Sequence, residues 1–153
     1  MTDRTQPTNQ QIAAWRAFLT VHARITEILE RELEAERELP LGWYDVLVQL
    51  SEAEDGRLRM HNLAQLVLLS RAGLTRLVDR MARASLVERV PCEDDRRGTY
   101  VVMTASGARA LGAAAPVHLR GVHEHFVRHL DAAELKTLEA SMNRILRAES
   151  GSG

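Results

Sequence analysis

Cysteine and lysine are nearly missing from this 153-residue chain. The one cysteine, Cys92, has no internal partner, which excludes a disulfide scaffold and leaves only an intermolecular bridge open. A reducing cytoplasm is the expected location. Aromatic residues make up only 4% of the chain, and the longest aliphatic run, Leu66 to Leu69, falls far short of the roughly 20 residues a membrane helix needs. The polar start has no signal-peptide apolar core, so neither a membrane nor export is expected. Also missing are a nucleophile–base–acid spacing, a phosphate-cradling glycine loop and a metalloenzyme motif, so nothing points to an enzyme and no cofactor is expected.

What is present is arginine, unevenly placed. The net charge is −1, yet residues 57–103 hold nine arginines against five acids. Lys136 is the single lysine, and arginine is the fork-shaped donor suited to phosphates and guanine edges. A basic footprint on one face is enough for nucleic acid, whatever the net charge.

Hydrophobic spacing predicts a mainly α chain with a small β-hairpin. Ile12, Trp15, Leu19, Ile25, Leu29 and Leu33 mark a first helix over 10–38, ended by Leu39-Pro40-Leu41-Gly42. A second helix from Trp43 stops near Glu54 before an Asp55-Gly56 turn, and Arg57-Leu58-Arg59 suits a short strand. A short helix from Met60 to Val67 and a tight turn lead to Ser70, which is placed to cap a fourth helix reaching about Ala84. Strands are expected at Leu86–Val90 and Thr99–Met103 around a loop from Pro91 to Gly98. Thr104 then caps a fifth helix over 105–129, which Pro116 must kink or divide, and Asp131 with Glu134 forms a capping box opening a sixth helix to about 148. Residues 1–8 and 149–153 have no apolar periodicity and are expected to fray.

Helix, tight turn, helix and a hairpin with a basic tip is the order of a winged helix-turn-helix, here 41–104, whose second helix fits the DNA major groove. Such a helix must begin with small or hydrogen-bonding residues to approach base edges, and Ser70-Arg71-Ala72-Gly73-Leu74-Thr75-Arg76 does so. The apolar stripes of 10–38 and 105–148 exceed what this module covers, so they are expected to form a dimerisation region against each other and a second chain.

At the wing, Asp95-Arg96-Arg97-Gly98-Thr99-Tyr100-Val101-Val102-Met103-Thr104-Ala105-Ser106-Gly107 resembles the pattern of the MarR family of bacterial transcription regulators. Met103 stands where leucine is usual. Leu77-Val78-Asp79-Arg80-Met81 and Leu86-Val87-Glu88-Arg89 are likewise similar, with Ser85 where glycine is common. The resemblance covers about 10–148. It implies a homodimer docking two winged modules on a pseudo-palindromic operator in double-stranded DNA, most simply as a repressor. Ser70, Arg71, Ala72, Gly73, Thr75 and Arg76 are then the recognition-helix positions, with Asp95 and Arg97 in the wing. Arg97 is expected to enter the minor groove, oriented by the Asp95 carboxylate. Trp15, His22, Trp43 and Tyr44 are the expected lining of a crevice for a small-molecule effector.

Two further patterns compete. His118, His125 and His129 recur at i, i+7 and i+11 along the expected fifth helix, with His123 pointing elsewhere, so a metal-responsive regulator is one alternative. No acid ligand completes that row, and interface or surface histidines are the plainer reading. A different class of function is a winged-helix dimer using its basic face for an acidic protein partner. Cys92, at the wing base, is poorly placed for redox sensing.

Overall fold

A computed structural model describes residues 6–67 and 71–151, with the Arg71 side chain also outside the described set. The elements are α1 (Asn9–Arg37), α2 (Leu41–Glu52), β1 (Arg57–Arg59), α3 (Met60–Leu66), α4 (Arg71–Arg83), β2 (Val87–Cys92), β3 (Asp95–Met103), α5 (Ala105–His125) and α6 (Ala132–Ser150). They fall into two compact units, residues 29–118 and residues 6–28 with 119–151. The expected winged module lies within the first.

That unit is organised around Leu33, Val46, Leu47, Leu50, Leu63, Leu74, Val78, Met81 and Val101, all with no solvent exposure. Leu74, Leu77, Val78 and Met81 recur at three- and four-residue spacing, so one stripe of α4 enters the core. Truncating any of these leucines to alanine costs about 2–5 kcal/mol, because a transfer term and a cavity term add.

The sheet is antiparallel, in the order β1-β3-β2, with Leu58 opposite Val101 and Arg59 opposite Tyr100. Here the expected loop is corrected. Both strands run on through most of 91–98, and only Glu93-Asp94 turns between Cys92 and Asp95. Pro91 is tolerated because β2 is an edge strand and the register shifts between Pro91 and Cys92. Gly98 allows the tip to close: a Cβ there would sit 2.9 Å from Cys92 Sγ and 3.3 Å from Asp95 Oδ2.

Helix ends follow local hydrogen bonding. Thr8 Oγ1 accepts from Gln11 N–H at 3.3 Å while Gln11 Oε1 accepts from Thr8 N–H at 2.8 Å, so Thr8, expected to fray, caps α1. Thr104 caps α5 by accepting from Gly107 N–H at 3.0 Å, and its hydroxyl donates to the Ser85 carbonyl at 2.6 Å. Ser85 has φ 63°, the left-handed conformation glycine adopts more readily. The Asp131–Glu134 capping box is present, and α6 continues two residues past its expected end to Ser150. The serine at position 70, the expected cap of α4, lies outside the described residues.

The fifth helix needs one correction. It runs through Pro116 undivided, which removes one of the two expected alternatives, but it stops at His125, because Phe126 (φ −131°, ψ −63°) leaves the helical region and Val127–His129 form a 3₁₀ turn. Among the described residues, no helix is long and apolar enough to cross a membrane.

Candidate nucleic-acid interface

The stripe that buries Leu74, Leu77, Val78 and Met81 turns the rest of α4 outward. Ala72, Arg76, Arg80 and Arg83 are exposed, and Gly73 and Thr75 are half-buried. The start of the helix therefore presents short side chains and an arginine on its open side, as base-edge contact requires. Of the expected recognition positions, Ser70 lies outside the described residues, and Arg71 is placed by its backbone alone.

Arg89 ties the wing to this helix. Its guanidinium donates to Asp79 Oδ1 at 2.9 Å and to the Thr75 carbonyl at 3.3 Å. Both side chains are more than a third exposed, so the pair adds little stability, at most about 1 kcal/mol. What it contributes is position, because it bridges α4 to β2 beside the groove. That groove, about 370 Å³, is lined by Arg59, His61, Thr75, Arg89, Arg97 and Gly98 among others. Three guanidinium groups converge on one concave surface.

Asp95 and Arg97 meet differently from expectation. The Asp95 carboxylate accepts from the Arg97 backbone N–H at 2.9 Å, so it fixes main chain at the start of β3. Arg97 itself is exposed at the tip of the hairpin.

Five residues on this face were not singled out from sequence: Arg57, Arg59, His61, Arg89 and Tyr100. The guanidinium carbons of Arg57 and Arg59 lie 4.5 Å and 5.6 Å from the Tyr100 ring centroid. Hydrogen bonding to Tyr100, then its charge, holds the Arg59 pKa above its already high ordinary value. The concentration of arginine within 57–103 was the available signal, but only strand pairing shows which arginines share a face.

The four aromatic and histidine positions expected to line one crevice divide between the two units. Trp15 and His22 belong to residues 6–28, where Phe18 stacks between them at centroid distances of 5.9 Å and 6.4 Å. His22 lines an apolar cleft of about 280 Å³ with Phe18, Ile25, Phe126, Leu138 and Met142. Trp43 and Tyr44 belong to residues 29–118, where the buried Tyr44 ring packs at 4.5 Å against His118.

His118 is half-buried, and its Nδ1 is enclosed without a hydrogen-bond partner. Burial lowers its pKa below the ordinary 6.5, against the attraction of Asp45. Desolvation in turn raises the Asp45 pKa, with His118 opposing. The expected histidine row is broken, since His129 sits in the 3₁₀ turn beyond the end of α5. Among the described residues, no three His, Cys, Asp or Glu side chains come together as a metal-ligand set.

Comparison with known proteins agrees with the fold. A model of the MarR family matches residues 38–98. The crystal structure of AbsC, a MarR family transcriptional regulator from Streptomyces coelicolor, is 35% identical, with a TM-score of 0.88 over 96% of this chain and 99% of that one. Another MarR family regulator of the same organism, solved in complex with DNA, is 27% identical, with a TM-score of 0.88 over 94% of this chain and 90% of its own. The multiple antibiotic resistance protein MarR of Escherichia coli is 30% identical over 84 residues, 55% of this chain. That match spans 58% of the length of the curated relative.

Proposed function

Because the chain belongs to the MarR family of transcriptional regulators, we propose that it binds double-stranded DNA sequence-specifically as a homodimer and represses transcription from a pseudo-palindromic operator. The observation that carries this reading is α4, whose buried stripe leaves Ala72, Thr75 and Arg76 facing outward beside the three-arginine groove and the Arg97 wing tip. Base-edge contacts from α4, with those expected of Ser70, Arg71 and Gly73, supply discrimination, and Arg97 supplies a minor-groove contact. Such work belongs in the cytoplasm, with the chromosome.

The dimer is supported by residues 6–28 and 119–151, the proposed core of the dimerisation region. Trp15, Phe18, Leu19, Leu119, Ile145 and Leu146 are all large, apolar and exposed in the single chain, and no residue of α6 is buried. Monomeric soluble proteins seldom expose such a patch without a partner for it. For a small-molecule effector, the apolar cleft at His22 is the better-formed candidate, and an aromatic compound with one hydrogen-bonding group suits its lining.

Footprinting the purified protein on the DNA upstream of its own gene, at two salt concentrations, tests the reading. A protected two-fold-symmetric site, bound far more tightly than random duplex, is expected. Equal, weak binding to every duplex would leave the acidic-partner alternative standing.

A further inference from the structure

Arg57 and Arg59 stand two residues apart on β1, so both project to the same face of the sheet, and Tyr100 projects to that face from the neighbouring strand, opposite Arg59. The intervening Leu58 pairs with the fully buried Val101 on the other face. Two like charges are thereby held against one ring, at 4.5 Å and 5.6 Å from its centroid. The negative face of the ring attracts both, which limits their mutual repulsion. Among the described residues neither arginine is in an ion pair, and Asp95 is the weakest influence raising the Arg59 pKa. These two arginines stand at the edge of a groove lined also by Arg89, which is paired with Asp79, by Arg97 and by a single carboxylate, Asp95, so positive charge is in excess there, the condition for holding an anion.

We propose that Arg59, with Arg57 beside it on the Tyr100 ring, is a docking point for one backbone phosphate of duplex DNA, separate from the recognition helix and the wing tip, and that Tyr100 is its positioning residue. This rests on the DNA-binding reading and extends it. A phosphate fits better than a base edge for two reasons. β1 is an edge strand that ends where α3 begins, outside the helix that would occupy the major groove. Paired guanidinium groups also neutralise a phosphate oxyanion through several N–H donors at once. The aromatic face restricts the long arginine side chains before DNA arrives, so less rotamer freedom is lost on binding. In effect Tyr100 turns two flexible cations into a fixed contact.

The test titrates full-length wild type, Arg57→Ala/Arg59→Ala, Tyr100→Leu, Tyr100→Phe and the triple variant carrying Tyr100→Leu against one operator duplex and one random duplex. Each titration is run at several salt concentrations, with circular dichroism and melting recorded for every variant. The double arginine variant should lose at least tenfold affinity for both duplexes alike, and its log affinity against log salt should flatten by about two units, the signature of one lost phosphate contact in each half of the dimer. Tyr100→Leu should weaken binding with both charges still present, Tyr100→Phe, which keeps the ring and loses the hydroxyl that Arg59 hydrogen-bonds, should fall between wild type and Tyr100→Leu, and Tyr100→Leu should have no further effect once the arginines are gone. An unchanged salt slope in the double variant overturns the phosphate contact. An equal Tyr100→Leu penalty with and without the arginines overturns the positioning role, and Tyr100→Phe as weak as Tyr100→Leu overturns positioning by the ring. Wild type that binds neither duplex in a salt-dependent way overturns the DNA-binding reading itself, a separate outcome.

Discussion

At the scale of single residues, the proposed interface divides into side chains expected to read sequence and side chains that hold other groups. Thr75 and Arg76 are proposed for the first role, at the open start of α4. Arg76→Ala is expected to weaken operator binding by about 1–3 kcal/mol, the worth of a good bidentate base contact, while changing random-duplex binding much less. Equal losses on both duplexes in parallel titrations would reassign Arg76 to phosphate. Asp95 belongs to the second kind, because its carboxylate oxygen accepts from the Arg97 backbone N–H. Asp95→Asn keeps an acceptor and removes a negative charge beside DNA, so it should bind at least as tightly as wild type, whereas Asp95→Ala loses the main-chain support and should bind more weakly. Two substitutions that both tighten binding would show that only the charge of Asp95 matters. His118 carries the clearest pH dependence. Its folded pKa lies below 6.5, so the unfolded chain binds the proton more readily. The sign follows: above about pH 7 His118 is neutral in both states and contributes nothing pH-dependent, and stability falls as pH drops below 6.5 towards the lowered folded value. Desolvation of Asp45 acts in the opposite sense at lower pH, penalising its charged form as pH rises through the carboxylate range. Urea unfolding of wild type and His118→Gln at pH 7.5 and 5.5 should show a smaller acid-induced loss in the variant, and identical losses would remove His118 as the cause.

At the scale of elements, the wing and α4 act as one body only if something links them, and Arg89 is that link. Asp79→Ala and Arg89→Ala should each lower operator affinity several-fold, and the double variant should be no worse than the poorer single one, because both remove the same bridge. Additive losses in the four-way cycle would mean that Arg89 contacts DNA on its own account. What was legible in the sequence follows the same division. Local periodicity placed α4, because Leu74, Leu77, Val78 and Met81 need only a helix and a core. The capping boxes and the Thr104 cap are likewise short-range chemistry, although the Thr8–Gln11 box went unread at a polar chain start. The expected wing is shorter than the observed one, since Pro91 and Gly98 look like loop residues until an edge strand accommodates the proline and the Cys92 side chain packs against the glycine. The Arg57–Tyr100 and Arg89–Asp79 contacts join residues far apart in sequence, where no spacing rule reaches. The histidine row failed for a local reason, an interruption at Phe126 that a period of 3.6 does not foresee.

At the scale of the whole molecule, the unresolved demand is for a partner to cover the apolar face of residues 6–28 and 119–151. Helices of this length are marginal alone in water and draw their stability from packing one face. Yet α6 has no buried residue in the single chain, while Ile145 and Leu146 remain 55% and 63% exposed and Leu119 61% exposed. Trp15, Phe18, Met142, Ile145 and Leu146 line an apolar cleft of about 590 Å³, room for side chains from a second copy. A two-fold dimer would bury this patch against itself and would set two recognition helices on one duplex, so that the second half-site is engaged at a high effective concentration. Sedimentation equilibrium should therefore give a dimer at micromolar concentration, and Ile145→Asp/Leu146→Asp should give a monomer. Operator affinity of that variant should fall at least a hundredfold through lost linkage of the half-sites. Its log affinity against log salt should flatten to about half the wild-type slope, because each monomer neutralises only its own half of the phosphates. These two readings separate loss of the dimer from damage to the winged module: damage confined to recognition would lower affinity while the dimer persisted. A wild-type protein that sediments as a monomer and still binds the full operator tightly would mean that the apolar face serves some other contact, and that each winged module works alone.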